Sequence, residues 1–462
     1  MNKKGVLKIS TVLMVFTLVS ILAGFLFFKF GGTEMINKKA IIVNSLSAFE
    51  KVIRFLPVEK DTKKEIKTVD KLMEAFMRQD NIERSYLVLL QNDMELRPGG
   101  GFLGQYAVVK VKNGEVISTF IEDANLLDER IHTRVASPYP FRRMMSIKKW
   151  KFRDSNFSPD FSENAEKAKY FYRLAGRSSN FDGVVSINSS VLDRVLGLTG
   201  SINVPGYGVY EAGSAVIKLE DQIERPYLIN PELDTRNRKY VLKKMAPIII
   251  DKLFTLGNIK KVADFGLEEL RSKDVMLNFE DPELQKLVEE VHWGGSVAEK
   301  WSGDYLMLID ANMGALKSDY YMKRDIVYTV DLTAEKPTAT LEYTYTHTAT
   351  HGNWRTSDYH SYLRVYVPKG SNLLERKMVS YPNVQEEFNK TYFGFIAHTL
   401  IGRQTKAVIK YELPESVKDN YELLIQKQSG VGDIPVKIHI ISHKGNFIQE
   451  TILKKDARFE LK

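Results

Sequence analysis

Cysteine is missing from all 462 residues. Its absence removes disulfides and thiolate metal sites together, so a body of this size must be held by its apolar core. Missing too are the H-E-x-x-H, G-x-S-x-G and P-loop spellings, and with them the motif support for peptidase, esterase and NTPase chemistry. No internal repeat and no long low-complexity linker occurs. What is present is apolar and basic. Hydrophobic residues make up 44%, ample over the more than 400 residues after Lys29 for more than one cored domain, and the formal net charge is +8.

Ile9 to Phe28 runs without a charge, about the twenty residues that a helix needs to cross a bilayer, and Lys3, Lys4 and Lys8 precede it. The positive-inside rule then places residues 1–8 in the cytoplasm, a signal-anchor at 9–29, and the rest outside the membrane. A cleaved signal peptide has the same charged start, but this apolar run is longer than a usual h-region and no clear A-x-A site follows. On that topology, the positive balance suits partners such as anionic lipid or an anionic envelope polymer. Nucleic acid is the weaker partner, because export removes it.

Residues 86 to 116, YLVLLQNDMELRPGGGFLGQYAVVKVKNGEV, carry the densest signal. Apolar Leu87 to Leu90 gives way to a loop with Arg97, Pro98, Gly99, Gly100 and Gly101, and β-patterned Ala107 to Val111 leads into Asn113-Gly114. A cation thus sits beside backbone able to approach a ligand closely. GGGFLG also satisfies the dinucleotide-binding glycine pattern, but that fingerprint needs a helix after the glycines, and here a β-run ending in a hairpin turn follows.

Helical spacing at Ile66, Val69, Leu72, Met73 and Phe76 predicts helices between residues 30 and 83, either as a stalk or packed on the next domain. Alternating strand-like and helix-like segments predict an α/β domain over 84–302. Within it, Ser162 to Gly176 reads as a helix burying Ala165, Ala168, Phe171 and Tyr172. Val184 to Ile187 reads as a strand, and Ser190 as the cap of a helix, with Asp193 three residues on and a stop at Gly197. Tyr240 to Phe254 has helical spacing despite Pro247. From 303 to 462 the period changes to two, as in Ile326 to Val330, Thr340 to Tyr345 and Ala407 to Leu413, which predicts a β-sandwich.

Four groups of polar residues are candidates. His347, His351 and His360 invite a metal, but on a strand residues four apart stand roughly 13 Å from one another. Asp234, Arg236 and Arg238 precede the 240–254 helix, where carboxylate and guanidinium could hold a divalent cation and a phosphate, or form an ordinary capped helix start. Glu122 and Asp123 end the strand beyond the glycine loop, as ligands or as plain strand-end acids. A basic segment, Arg142, Arg143, Lys148, Lys149, Lys151 and Arg153, is interleaved with Met144, Met145, Trp150 and Phe152. It reads as a face for anionic headgroups or as an exposed loop around a partly buried tryptophan.

Three stretches together resemble the bacterial domain of unknown function 4012 family: the one above, then DSNFSPDFSENAEKAKYFYRLAG with FDGVVSINSSVLDRVLGLTGSINVPGYG, and DYLMLIDANMGALKSDYYMKRDIVYTV. The resemblance implies a single-pass, extracytoplasmic envelope protein and little about chemistry. A fainter resemblance reaches the LytR-CpsA-Psr phosphotransferases, which attach lipid-pyrophosphate-linked glycopolymers to the cell wall with Mg²⁺. It implies an α/β core with a mixed sheet and flanking helices. In it Arg97 looks like the first-motif arginine, beside the backbone of Gly100. Asp123 looks like the strand-end acid, and Arg236 and Arg238 like the pyrophosphate arginines. Asp123 and Asp234 would then be catalytic and hold Mg²⁺, and a polyprenyl-pyrophosphate-linked glycan would be the partner. Where that family has an aspartate, Gly99 stands here. That favours a rival expectation, a noncatalytic binding or scaffold protein that kept the fold and lost the metal site.

Overall fold

The structure is a computed structural model that describes residues 60–177, 180–230, 240–253, 259–418 and 420–461. The anchor expected at 9–29 lies outside them. Among the described residues no helix is long and apolar enough to cross a membrane. In chain order the helices are α1 (Lys60–Met77), α2 (Ala124–Glu129), α3 (Tyr139–Met145), α4 (Phe161–Leu174), α5 (Ser190–Thr199), α6 (Ala215–Ile223), α7 (Arg225–Ile229), α8 (Tyr240–Leu253), α9 (Ile259–Arg271) and α10 (Pro282–Glu290). The described part forms a mixed α/β protein with several sheets and flanking helices.

The chain divides into two compact units. The first comprises residues up to 91, 103–132 and 169–295, and the second 92–102, 133–168 and 296–462. The sequence boundary near 302 thus has a counterpart at 295/296. Two earlier segments, 92–102 and 133–168, group with the C-terminal strands.

The first unit is built on a five-stranded sheet of β1 (Glu83–Arg97), β2 (Gly100–Lys112), β3 (Glu115–Asp123), β4 (Gly183–Asn188) and β7 (Val275–Phe279), in the order β3-β2-β1-β4-β7. Only the residues of β1 up to Gln91, and of β2 from Leu103 on, belong to this unit. β1 and β4 are parallel, β4 and β7 antiparallel, and a two-stranded sheet of β5 (Ile202–Val204) and β6 (Gly208–Tyr210) lies apart from them in the pairing. The Asn113-Gly114 turn joins β2 to β3 with positive φ at both residues, as a tight hairpin of that handedness requires. Residues Ile66, Val69, Leu72, Met73 and Phe76 of α1 are all buried in the same apolar cluster as Val88, Val185 and Leu277. The helix is therefore a packed element of this unit, not a free stalk. α4 buries Ala165, Ala168, Phe171 and Tyr172, and α8 runs through Pro247, both as predicted.

The helix after β4 departs from expectation at both ends. α5 continues past Gly197 to Thr199 and stops at Gly200, whose φ of +79° suits glycine. A glycine inside a helix costs only about 1 kcal/mol relative to alanine, and the backbone reversal sets the end. Asp193 is not part of a capping box. Its Oδ1 accepts the backbone N–H of Ala215, at the start of α6, at 2.8 Å.

The second unit contains two six-stranded sheets. One has the order β12-β15-β10-β9-β17-β18 and the other β13-β14-β11-β8-β16-β19. Their strands are β8 (Asp304–Asn312), β9 (Met322–Asp331), β10 (Thr338–His347), β11 (Tyr359–Pro368), β12 (Asn372–Lys377), β13 (Ser380–Glu387), β14 (Lys390–Thr399), β15 (Gln404–Glu412), β16 (Glu422–Gln426), β17 (Ile434–Ser442), β18 (Gly445–Leu453) and β19 (Ala457–Glu460). Alternation on β9 and β10 turns Tyr328, Val330, Leu341 and Tyr343 into one apolar cluster shared with Leu363, Val365, Phe393 and Phe395 of the other sheet. The two sheets thus enclose a common core, the layering that period-two patterning predicts. β8 is buried at every position. Leu306 and Leu308 face the shared core, while Tyr305, Met307 and Ile309 pack with Val297 and Tyr366, and Ala311 packs with Phe141 and Phe157.

Candidate functional site

Arg97 closes β1, and three residues later Gly100 opens β2. Its guanidinium, expected to meet a phosphate, is 1% exposed and turned to protein partners. Nη2 donates to Glu95 Oε1 at 2.9 Å and Nε to Asp154 Oδ1 at 3.3 Å. Nη1 donates to the carbonyls of Leu96 and Asn312 at 3.2 and 2.9 Å. Four of the five N–H donors of an arginine are thereby engaged. The Phe102 ring lies 5.4 Å from its charged carbon. Burial works against the charged form of Arg97, and Glu95 and Asp154 outweigh it, so the group stays protonated.

The glycines serve close packing. A Cβ on Gly99 would overlap the Asn164 side-chain amide, and one on Gly101 would overlap the backbone of Asn92 and Asp93. Gly100, expected to approach a phosphate, has φ of +127°, and its carbonyl is approached by Gly430 so closely that a Cβ there would overlap it. Asn156 stitches the loop, accepting from Gly99 N–H at its carbonyl at 3.0 Å and donating from Nδ2 to the Gly101 carbonyl at 2.6 Å.

From Arg97 the polar network continues into the sandwich. Asn312 Nδ2 and Leu96 N–H both donate to Asp319 Oδ2, at 2.8 and 3.0 Å. Arg324 bridges Asp319 and Asp310 at 2.6 and 2.9 Å. Asp310 also accepts from Tyr343, Tyr345 and Ser361. Gln428 Nε2 donates to the carbonyls of Arg97 and Asp310. Sequence reading missed Glu95, Asp154, Asn156, Asn312 and Arg324. The available signal was polar Asp154-Ser155-Asn156 set between Phe152 and Phe157, a spelling that makes sense only if the polar groups are paired inside.

A second buried carboxylate, Asp304, has no cationic partner among its described contacts. It accepts from Tyr421 and Tyr328 at 2.6 and 2.9 Å and from the Tyr305 N–H at 2.8 Å. Burial pushes its pKa up from 3.8 to about 6, against the opposing hydrogen bonds. The folded chain therefore holds this proton more tightly than the unfolded one. The stability linked to it is fully present below pH 3.8 and is lost as pH rises through about 6, by about 3 kcal/mol in all. Urea titrations of the wild type and of Asp304→Asn are expected to diverge accordingly. The difference between them moves by about 2–3 kcal/mol in favour of the variant between pH 4 and pH 7, and a constant difference would show that Asp304 keeps an ordinary pKa.

Asp123 lies in the first unit as the N-cap of α2, its carboxylate accepting from Asn125 N–H at 2.9 Å. That is an ordinary strand-end role. Its neighbour Glu122 gathers Arg177, at 2.9 Å, and Arg130, at 3.2 Å, and accepts from the Tyr106 hydroxyl. Asp234, Arg236 and Arg238 lie outside the described residues. Among the described residues no group of three His, Asp or Glu side chains is placed to hold a metal ion. His347 is buried and engaged with the Ser357 carbonyl at 3.0 Å, His351 with Thr350, and His360 stacks on His398 across β11 and β14.

No curated protein matches the chain. Among solved structures, the Lin1025 protein of Listeria innocua is 12% identical, over 46% of this chain and 80% of that one, with a TM-score of 0.24. A family model described as protein of unknown function (DUF4012) matches residues 81–223, which run from the start of β1 to the end of α6 and include the whole Arg97 loop and its Asp154-Ser155-Asn156 partner segment. Over those residues the chain matches the DUF4012 family model.

Proposed function

We propose that this chain is a membrane-anchored, extracytoplasmic protein of bacterial envelope polysaccharide assembly that binds or displays an envelope polymer without transferring it. The observation that carries the noncatalytic reading is the state of Arg97. Transfer of a lipid-pyrophosphate-linked glycan needs an arginine whose donors meet phosphate oxygens as charge develops. Here that guanidinium is buried and spent on Glu95, Asp154 and two carbonyls. Gly99 at the position of a metal-binding aspartate points the same way. The uncharged Ile9 to Phe28 run behind three lysines supports the topology.

Two measurements test this reading. Protease added to intact cells is expected to degrade the body of the protein, and protection of the body would overturn the topology. The purified protein given a polyprenyl-pyrophosphate-linked glycan and Mg²⁺ is expected to release no polyprenyl pyrophosphate or phosphate product, and multiple turnover would restore the phosphotransferase.

A further inference from the structure

We propose that residues 133–153 form the polyanion-binding surface of this protein, and that its ligand is a linear polymer bearing repeated phosphate groups. The proposal deepens the function given above and rests on that reading, since it names the partner class of an envelope-binding protein and the residues that meet it.

The segment TRVASPYPFRRMMSIKKWKFR contains seven basic residues and no acidic one. It is a built structure. Its two ends pair, through the Ala136–Lys149 bridge, Ser137 N–H to the Lys148 carbonyl, and Trp150 N–H to the Val135 carbonyl at 2.8 Å, while α3 forms the excursion between them. The Trp150 indole N–H donates to the Asp154 carbonyl at 2.7 Å, and the Ser137 hydroxyl donates to the Ile147 carbonyl at 2.5 Å.

The apolar half of the segment faces inward. Phe141 is buried with Phe157, Ala311, Met313 and Tyr362, and Met144, Met145, Ile147 and Trp150 pack against them. The cationic half is left outside. Arg134, Arg142, Arg143, Lys148 and Lys149 are exposed. Arg143 lies 4.7 Å over the Tyr381 ring, whereas the side chains of Arg134, Arg142, Lys148 and Lys149 have no hydrogen bond or ion pair among the described residues. The nearest acid in sequence, Asp154, is committed to Arg97.

Several cations without an acidic partner among the described residues, carried on one short excursion, repel one another, and a flexible polyanion relieves that repulsion while releasing its own counterions. Phosphate is favoured because guanidinium matches its oxygens in a bidentate manner, and two of the four unpaired cations are arginines. A bilayer is disfavoured because Met144, Met145, Ile147 and Trp150, the side chains that would insert, are already packed inward.

The test uses the full chain and long-chain inorganic polyphosphate as the probe, titrated at several salt concentrations. Replacing Arg134, Arg142, Lys148 and Lys149 together by Ser is expected to leave the melting temperature unchanged and to weaken binding at 0.1 M salt by at least about tenfold. The slope of log affinity against log salt should become shallower by about three, at about 0.7 per cation removed. A control variant with Lys323, Arg403, Lys444 and Lys455, exposed elsewhere in the same unit, changed to Ser is expected to bind nearly as the wild type does. The proposal is overturned by a folded fourfold variant that binds normally, by an equal loss in the control, by preference for polyglutamate over polyphosphate, or by binding to phosphatidylglycerol vesicles alone. Such a result would leave the topology and the absence of turnover standing, because protease accessibility and product release measure those separately.

Discussion

Arg97→Ala is expected to destabilise the chain by about 3–5 kcal/mol, the usual effect of removing one partner from a buried ion pair. The loss has little to do with the contacts that vanish and much to do with those that remain. Glu95 and Asp154 would keep their carboxylates away from water with no cation between them, and the Leu96 and Asn312 carbonyls would each lose a donor. Arg97→Lys restores the charge without the planar fork, and so recovers part of the loss. Chemical denaturation of the three proteins measures this directly. A folded Arg97→Ala with wild-type stability that fails only to bind a lipid-pyrophosphate analogue would return Arg97 to the role of a ligand-binding residue.

Gly430→Ala is the second large effect, about 2–5 kcal/mol from two sources. Gly430 has φ of +77°, where an L side chain costs roughly 1–2 kcal/mol, and its Cβ would overlap the Gly100 carbonyl oxygen, where overpacking adds roughly 1–3 kcal/mol or more. The clashing atom is backbone at both ends, so no rotamer change relieves it. Gly432→Ala, at a glycine with open space around it and no positive φ, is the matched control and is expected to change stability by less than about 1 kcal/mol. Equal stability of the two variants would show that the Gly100 loop yields readily.

Much of the fold was legible because it rests on local periodicity. Period-two alternation from Ile326 to Val330 and from Thr340 to Tyr345 marks strands whose inner faces fill the shared core, and 3.6-residue spacing at Ile66 to Phe76 marks a helix face that proves buried. Asn113-Gly114 gave its hairpin for the same reason, since the turn type needs positive φ at both positions. What was not legible depends on partners remote in sequence. An arginine next to three glycines has the same spelling whether it faces a phosphate or a carboxylate pair. Only the fold reveals that Asp154 comes 57 residues later and Asn312 215 residues later. Gly197 against Gly200 is the local version of that limit, because either could end α5 and the choice follows from how the chain must turn into β5. The basic segment 142–153 was visible in the sequence, but not the inward turn of its methionines and tryptophan, which is set by β8 and β11 underneath.

The Gln428 side chain bonds the Arg97 carbonyl across 331 residues, and Gly430 seals the Gly100 turn beside it. During vectorial synthesis at roughly 5–20 residues per second, the tip of the first hairpin therefore waits on the order of half a minute for its lid. Asp154, Asn156 and Asn312 reach the loop earlier, but through that interval the Arg97 carbonyl lacks the Gln428 donor and the Gly100 turn lacks Gly430 over it. Maturation of the earliest strands is thus gated by one of the last, and a ribosome stalled before Gln428 would leave a nascent chain with the hairpin tip still open to proteolysis.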